Sequence, residues 1–293
     1  MAMKEYTRIS VVLAFVAIVT LQLATGGPET ETATTTVTIN NVAPVVGTVT
    51  PTSPVVLSEH TTVTVTCSAT VNDSNGWEDV STANGTFYLD SLGGGCTPNN
   101  ANCYTNASCA LSGGSDTTVT ATCEYTVQWY AQASTDEGNW NCAITATDTA
   151  ANDDTNSTTT TVSDLLALDI TTPIAFGTMS VGQTSSSDST DTVTNTGNVR
   201  FDINVNGTNM TCDGAESNPI GVTYIRYHHD SGQDYSNMTS LTTNPADTAA
   251  GLKTNFDLVE GAASDKLTYW KISIPTGVSG SCTGYSQFEA VKG

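Results

Sequence analysis

The sequence predicts an all-β protein, and three observations carry that expectation. Thr- and Val-rich stretches alternate apolar and polar residues at every second position, the period of half-buried antiparallel strands. Clusters of Asn, Asp, Gly and Ser separate those stretches as turns. Beyond residue 26 no stretch repeats apolar positions at helical spacing over three turns. A length of 293 residues suits about two domains. The balance of 8 Lys+Arg against 29 Asp+Glu, a net charge of -21, excludes nucleic-acid binding through phosphate neutralisation. It also argues against a basic patch for anionic lipid.

In chain order, residues 1–26 read as a secretory signal peptide. Lys4 and Arg8 precede an apolar stretch from Ile9 to Leu23, and Ala24 and Gly26 stand at the -3 and -1 positions of a cleavage after Gly26. An uncleaved anchor or a pilin-type leader is the rival, but the run is short for a spanning helix. Residues 27–42 are Thr-rich and alternating; they suit a first strand, a linker, or a strand donated to a neighbour.

Residues 43–163 follow as a first domain. Val63, Val65, Cys67, Ala69 and Val71 share one face of a strand, as do Val119, Ala121, Cys123, Tyr125, Val127 and Trp129 of the next clear one. Trp140, Cys142, Ile144 and Ala146 share a third. The stretch CALSGGSDTTVTATC suits a hairpin around Gly113–Gly114. The stretch DTAANDDTNSTTTTVSD loses the apolar pattern and reads as a solvated link. Residues 164–293 make the second domain. There Phe201, Ile203 and Val205 alternate, as do Trp270, Ile272 and Ile274, and Cys282, Ser286, Phe288 and Ala290 fall in phase near the end.

Eight cysteines divide six to two: Cys67, Cys96, Cys103, Cys109, Cys123 and Cys142, then Cys212 and Cys282. An even count in each half behind a signal peptide indicates disulfides rather than a metal site, and no CxxC occurs. Asn72, Asn84, Asn106, Asn156, Asn206, Asn209 and Asn237 stand in Asn-x-Ser/Thr acceptors for glycans.

The stretch STDEGNWNCAITATD carries Asp136-x-Gly138-x-Trp140-x-Cys142. It resembles the D-x-G-x-Y-x-C signature of immunoglobulin-like domains, with Trp in the Tyr place. The resemblance implies that Gly138 allows a turn and that Cys142 on strand F bridges to Cys67 on strand B. It also implies that Trp140 packs a corner through its indole N–H. For the other four cysteines of that half, Cys109–Cys123 with Cys96–Cys103 and Cys103–Cys109 with Cys96–Cys123 both stay open. The second half, with Phe176-Gly177, Met179, Val181-Gly182 and Asn195-Thr196-Gly197-Asn198, is similar to prokaryotic surface modules of the ASPM/SPD-2/Hydin type. That likeness implies a positive φ at Gly197 in a tight turn between two strands, a bridge from Cys212 to Cys282, and no chemistry.

Catalytic signatures are missing: there is no Gly-x-Ser-x-Gly, P-loop or dinucleotide fingerprint. The expectation is therefore no enzyme and no cofactor. Of three histidines, His60, His228 and His229, the last two adjoin Asp230, but neighbouring strand residues point to opposite faces. Asp73, Asn75, Glu78 and Asp79, with Asp148, Asn152, Asp153 and Asp154, form Asx-rich turns expected near opposite strand ends of one domain. Asp73, Asp79, Asp148 and Asp153 are the calcium candidates among them. Trp129, Tyr130 and Tyr104 are the aromatics that could stack on sugars.

The functional expectation is a secreted structural or adhesive component of a microbial cell surface or extracellular filament. A strand-donating filament subunit and a carbohydrate- or ligand-binding module are its alternatives. Expected partners are other surface proteins or copies of the chain itself, with membrane contact only through an uncleaved N-terminal segment.

Overall fold

The computed structural model describes residues 31–171, 173–244 and 264–292. The expected signal peptide, residues 1–26, lies outside them. The chain divides into residues 1–41 and a compact unit, 42–293. Residues 31–41 form no strand, and Val37 and Ile39 stand 84% and 79% exposed.

The compact unit holds two antiparallel β-sandwiches. The first contains β1 (Val45–Val46), β2 (Thr50–Pro51), β3 (Thr62–Asn72), β4 (Val80–Leu89), β5 (Cys103–Asn106), β6 (Ala110–Ser115) and β7 (Thr118–Gln128). A single turn of helix, α1 (Ser134–Glu137), then leads into β8 (Trp140–Asp148) and β9 (Asp153–Thr160). One sheet runs β1-β3-β7-β6, with β2 also on β3; the other runs β5-β4-β8-β9. This is the two-layer strand order of an immunoglobulin-like domain. β3 and β7 pair over their full length, with Cys67 opposite Cys123. The inward faces are those the alternation indicates, because a period of two puts every other side chain in the core: Val65, Cys67, Val71, Ala121, Cys123, Val127, Cys142 and Ile144 are all buried. Trp140 stacks on Phe87 with ring centroids 4.6 Å apart, and its indole N–H donates to the Gln132 carbonyl at 2.9 Å. Gly138 takes φ +99 at the end of α1, a conformation L side chains avoid.

Three expectations change here. The stretch read as a solvated link contains β9, an edge strand on β8; its exposed Thr, Asn and Ser face water, so no apolar pattern marks it. The hairpin between β6 and β7 turns at Asp116–Thr117, with Ser115 opposite Thr118, and Gly113–Gly114 form an irregularity within β6. A Cβ on Gly114 would sit 2.3 Å from the Trp77 indole, which packs over it. Trp129 leaves the buried face because β7 ends at Gln128. It is half-buried, edge-on to His60 and Tyr130.

The second sandwich contains β10 (Leu168–Ile170), β11 (Ser189–Asn195), β12 (Phe201–Gly207), β13 (Thr211–Cys212), β14 (Ile225–His228), β15 (Thr239–Ser240), β16 (Ser264–Ile272), β17 (Cys282–Thr283) and β18 (Ser286–Lys292). Its larger sheet runs β10-β11-β16-β14-β15. The facing layer is a two-strand ribbon, β12 on β18, continued by β13 on β17. Phe201, Ile203, Val205, Tyr227, Trp270 and Ile272 fill the space between the layers.

Asn195–Asn198 connects β11 to β12, strands of opposite layers, so it is not a tight turn within one sheet. Gly197 is absent from the positive-φ residues of the described chain. Its requirement is steric: a Cβ would lie 2.0 Å from the Leu165 carbonyl oxygen. The segment is buried where the two sandwiches meet. The Asn198 amide donates to the carbonyls of Ala131 (2.8 Å) and Ser163 (3.1 Å), and its Oδ1 accepts the Leu165 N–H at 2.6 Å. Lys292 completes the joint. Its ammonium donates to Asp164 (2.7 Å) and Thr135 (2.7 Å) and pairs with Asp136 at 3.1 Å. Burial pushes the Asp164 carboxyl up, but the hydrogen bonds from Lys292 and Thr135 and the charge of Lys292 outweigh it and hold it low.

Candidate functional site

Two places combine chemistry with an unmet requirement. The first is the pole of the first sandwich where β3 and β8 end. The two Asx-rich turns, expected at opposite strand ends, sit together there. β8 pairs with β4, so Val80 at the start of β4 faces Asp148 at the end of β8, and the Thr149 N–H donates to the Asp79 carbonyl at 2.9 Å. Asp73 and Asp148 are 0% and 2% exposed, and Asp79 is half-buried.

One carboxylate oxygen of each residue, or more, has a structural task. Asp73 Oδ1 accepts the Asn75 N–H at 2.8 Å. Asp148 Oδ1 accepts the N–H groups of Ala150 and Asn152, both at 2.8 Å, and its Oδ2 accepts the Asn152 side-chain amide at 2.9 Å. Asp79 Oδ1 accepts the Thr149 hydroxyl. The bonds to Asp73 and Asp148 make tight Asx turns, and the bond to Asp79 ties one turn to the other. They leave Asp73 Oδ2 and Asp79 Oδ2 buried without a hydrogen-bond partner among the described residues. One ligand atom from each of the three carboxylates lies within 4.8 Å of the others. Like charges about 5 Å apart cost on the order of 3 kcal/mol per pair at an effective dielectric of about 20. No lysine or arginine stands between Arg8 and Arg200, so the first domain has neither to offset that cost. Asp153, the fourth candidate, is exposed at the start of β9 and outside the cluster.

The second place is an apolar cleft along the second sandwich. β18 pairs with β12 on one edge, and among the described residues its other edge carries no strand. Past the end of β10, Pro173, Ile174 and Phe176 line a cleft together with Ser286 and Phe288 of β18. Two adjoining clefts of about 630 and 360 Å³ open there and share Ile174, Phe176 and Met210; Phe288 of β18 lines the smaller. These side chains pack on the core yet stay partly exposed. Asp191 of β11 also borders the smaller cleft. It is 2% exposed, and neither oxygen has a hydrogen-bond partner of good geometry among the described residues. Burial raises its pKa to about 6, although the nearby Thr192 and Thr171 amides favour the charged form.

The other candidates fall elsewhere. His228 and His229 do not diverge to opposite faces, because β14 ends at His228; their rings stack at 4.4 Å, and Asp230 pairs with His229 at 3.2 Å. His60 Nε2 meets Asp169 at 2.8 Å across the joint. Of the aromatics considered for sugar stacking, Tyr104 is 8% exposed and packs on Phe87 and Trp140. Trp129 and Tyr130 are half-buried. The structure pairs Cys67 with Cys142, Cys96 with Cys103, Cys109 with Cys123, and Cys212 with Cys282. Four bridges and no free thiol among the described residues suit an oxidising compartment. None of the seven glycan-acceptor asparagines is buried. The amide nitrogens of Asn106 and Asn156 already donate to backbone carbonyls, at 3.1 Å to Glu124 and 3.0 Å to Gly47. No helix of the described residues is long and apolar enough to cross a membrane.

No family model and no curated protein matches the chain. Among solved structures, Escherichia coli alpha-2-macroglobulin activated by porcine elastase is similar at 12% identity, over 83% of this chain and 22% of that one. At a TM-score of 0.22 that likeness carries no argument about this chain's role.

Proposed function

We propose that the protein is an exported structural subunit of a cell-surface or extracellular filament, in which residues 31–41 of one copy add a strand to β18 of the next. The observation that carries this reading is the edge of β18 that no strand covers among the described residues, on a strand whose Ser286 and Phe288 line a half-exposed apolar cleft. Strand addition supplies main-chain hydrogen bonds to such an edge, and alternate side chains fill the cleft. Within 31–41 the run Thr36-Val37-Thr38-Ile39 puts Val37 and Ile39 on one face, both exposed in the single chain.

The polarity of the subunit favours a neighbour over self-insertion. Val42 is anchored by its N–H to Asn75 Oδ1 at 2.8 Å, at the pole where β3 ends. The second sandwich joins at the opposite pole, through Ala131 and Ser163. The eleven residues of β3 span about 36 Å. Eleven extended residues, 31–41, reach about the same distance, so folding back would exhaust them along the first sandwich. A head-to-tail contact of this kind does not close on itself and builds a linear array. The four bridges suit a subunit exposed to extracellular oxidants and proteases.

Two forms of the protein, one beginning at residue 27 and one at residue 43, separate the outcomes in size-exclusion chromatography and negative-stain microscopy. The longer form is expected to assemble into oligomers or fibres. The shorter form is expected to stay monomeric and to bind a synthetic 31–44 peptide with a rise in Tm. If both forms stay monomeric and the peptide does not bind, strand donation is wrong.

A further inference from the structure

We propose that Asp73, Asp79 and Asp148 hold a divalent cation, calcium by their ligand chemistry, at the pole of the first sandwich where β3 and β8 end. This inference does not depend on strand donation. A cluster of acids alone would not support it, since Asx turns gather carboxylates for their own hydrogen bonds. What points to a ligand is the remainder after those bonds are counted. Asp73 is fully buried, yet its Oδ2 has no hydrogen-bond partner among the described residues, and the same holds for the buried Oδ2 of Asp79. Both residues supply a ligand atom to the 4.8 Å cluster with Asp148. A buried carboxylate oxygen without a donor is costly, and two of them beside a third carboxylate, that of Asp148, are worse unless a positive charge compensates. The domain has no lysine or arginine to provide it.

The donor set selects among cations. Three carboxylates and no imidazole or thiolate suit a hard ion, not zinc or copper. Calcium accepts irregular oxygen cages completed by water, whereas magnesium demands near-octahedral order and gives up its own waters reluctantly. The ion would tie the Asp73–Asp79 turn, which follows β3, to the turn at the end of β8. It would thereby fix the loop whose Asn75 holds Val42. Affinity for an extracellular module of this kind lies at about 10⁻⁴–10⁻³ M.

The test uses the secreted protein after EGTA treatment and dialysis. Calcium at several millimolar is expected to raise Tm by about 5 °C or more, beyond sodium chloride of equal ionic strength. Terbium is expected to give saturable luminescence excited through Trp77, two residues from Asp79, and calcium to displace it. Asp79→Asn, at the half-buried member, should abolish both signals, while Asp153→Asn keeps them. Should Asp79→Asn fail to fold, one displaceable terbium per wild-type chain, quenched by Trp77→Phe without loss of the calcium Tm shift, supports the same site. A Tm response to calcium no larger than to sodium, or full retention of both signals in folded Asp79→Asn, overturns the proposal. Failure here leaves the chromatographic test of strand donation untouched.

Discussion

Removing the bridge between the layers of the first sandwich should cost far more than removing the bridge of its side loop. Cys67 on β3 and Cys142 on β8 join the two sheets across 75 residues of sequence, and both are 0% exposed. Cys96–Cys103 closes a loop of only 7. The chain-entropy relation gives about 4.5 kcal/mol for the first loop and about 2.4 for the second. Cys109–Cys123, with a separation of 14, falls between at about 3.0 kcal/mol. Geometry widens the gap. Cys109 adjoins β6, whose Ala110 is already placed opposite Thr122 by strand pairing, whereas Cys67 and Cys142 lie in different sheets that no continuous strand ladder joins, with side-chain packing and a few hydrogen bonds at the β1–β9 edge between them. Alanine is the replacement of choice, because serine would bury a hydroxyl beside Phe87, which lies opposite Cys142 in the β4–β8 ladder. The assay is guanidinium unfolding of the two double variants, Cys67→Ala/Cys142→Ala and Cys96→Ala/Cys103→Ala, followed by tryptophan emission. The first should lose about 4–5 kcal/mol and the second about 2, a gap well outside extrapolation error. Equal losses, or a larger one for the side loop, would refute the assignment of Cys67–Cys142 as the inter-layer lock.

Two more outcomes rest on single residues. Asp191 has a folded pKa of about 6, above its ordinary 3.8, so the folded state holds the proton more tightly. Its contribution to stability is therefore present below about pH 4 and lost as pH rises through 6. Calorimetry should find Asp191→Asn more stable than wild type at pH 7.5 and equal at pH 4; parallel pH profiles would refute this. At the joint, Gly197→Ala puts a methyl 2.0 Å from the backbone oxygen of Leu165, which cannot rotate away. The expected cost is about 1–3 kcal/mol, with faster proteolytic nicking in residues 161–167, read by timed digestion with elastase.

Much of the fold is legible in the sequence because the core strands are buried on one face and exposed on the other. β3, β7 and β8 therefore carry a period-two pattern that water and the core impose jointly. Edge strands escape this logic. β9 has nearly all its side chains in solvent, so its sequence is that of a loop, and only its backbone ladder to β8 makes it a strand. The carboxylate cluster is half legible. Asp73, Asp79 and Asp148 stand out by residue type, but their meeting depends on which way β3, β4 and β8 run, a long-range fact that local pattern does not contain. Gly197 stands out for the wrong reason. A glycine required by a close carbonyl and one required by a positive φ look identical in sequence, and only the packing of Leu165 separates them. The cleft beside β18 leaves no local trace, since Ile174, Phe176 and Phe288 have the composition of ordinary core residues.

The missing lysines and arginines have a consequence beyond charge. From residue 9 to residue 199 no peptide bond follows a basic side chain, so trypsin-like proteases find nothing to cut in the first sandwich, folded or unfolded. Nor does that stretch offer a side-chain amine for acylation or cross-linking; Lys266, Lys271 and Lys292 of the described residues all lie in the second sandwich. Wherever such proteases act, cleavage of this chain is therefore confined to the parts outside that stretch. At the bench, the same property means that its bridges must be mapped with enzymes that cleave at acidic or aromatic residues.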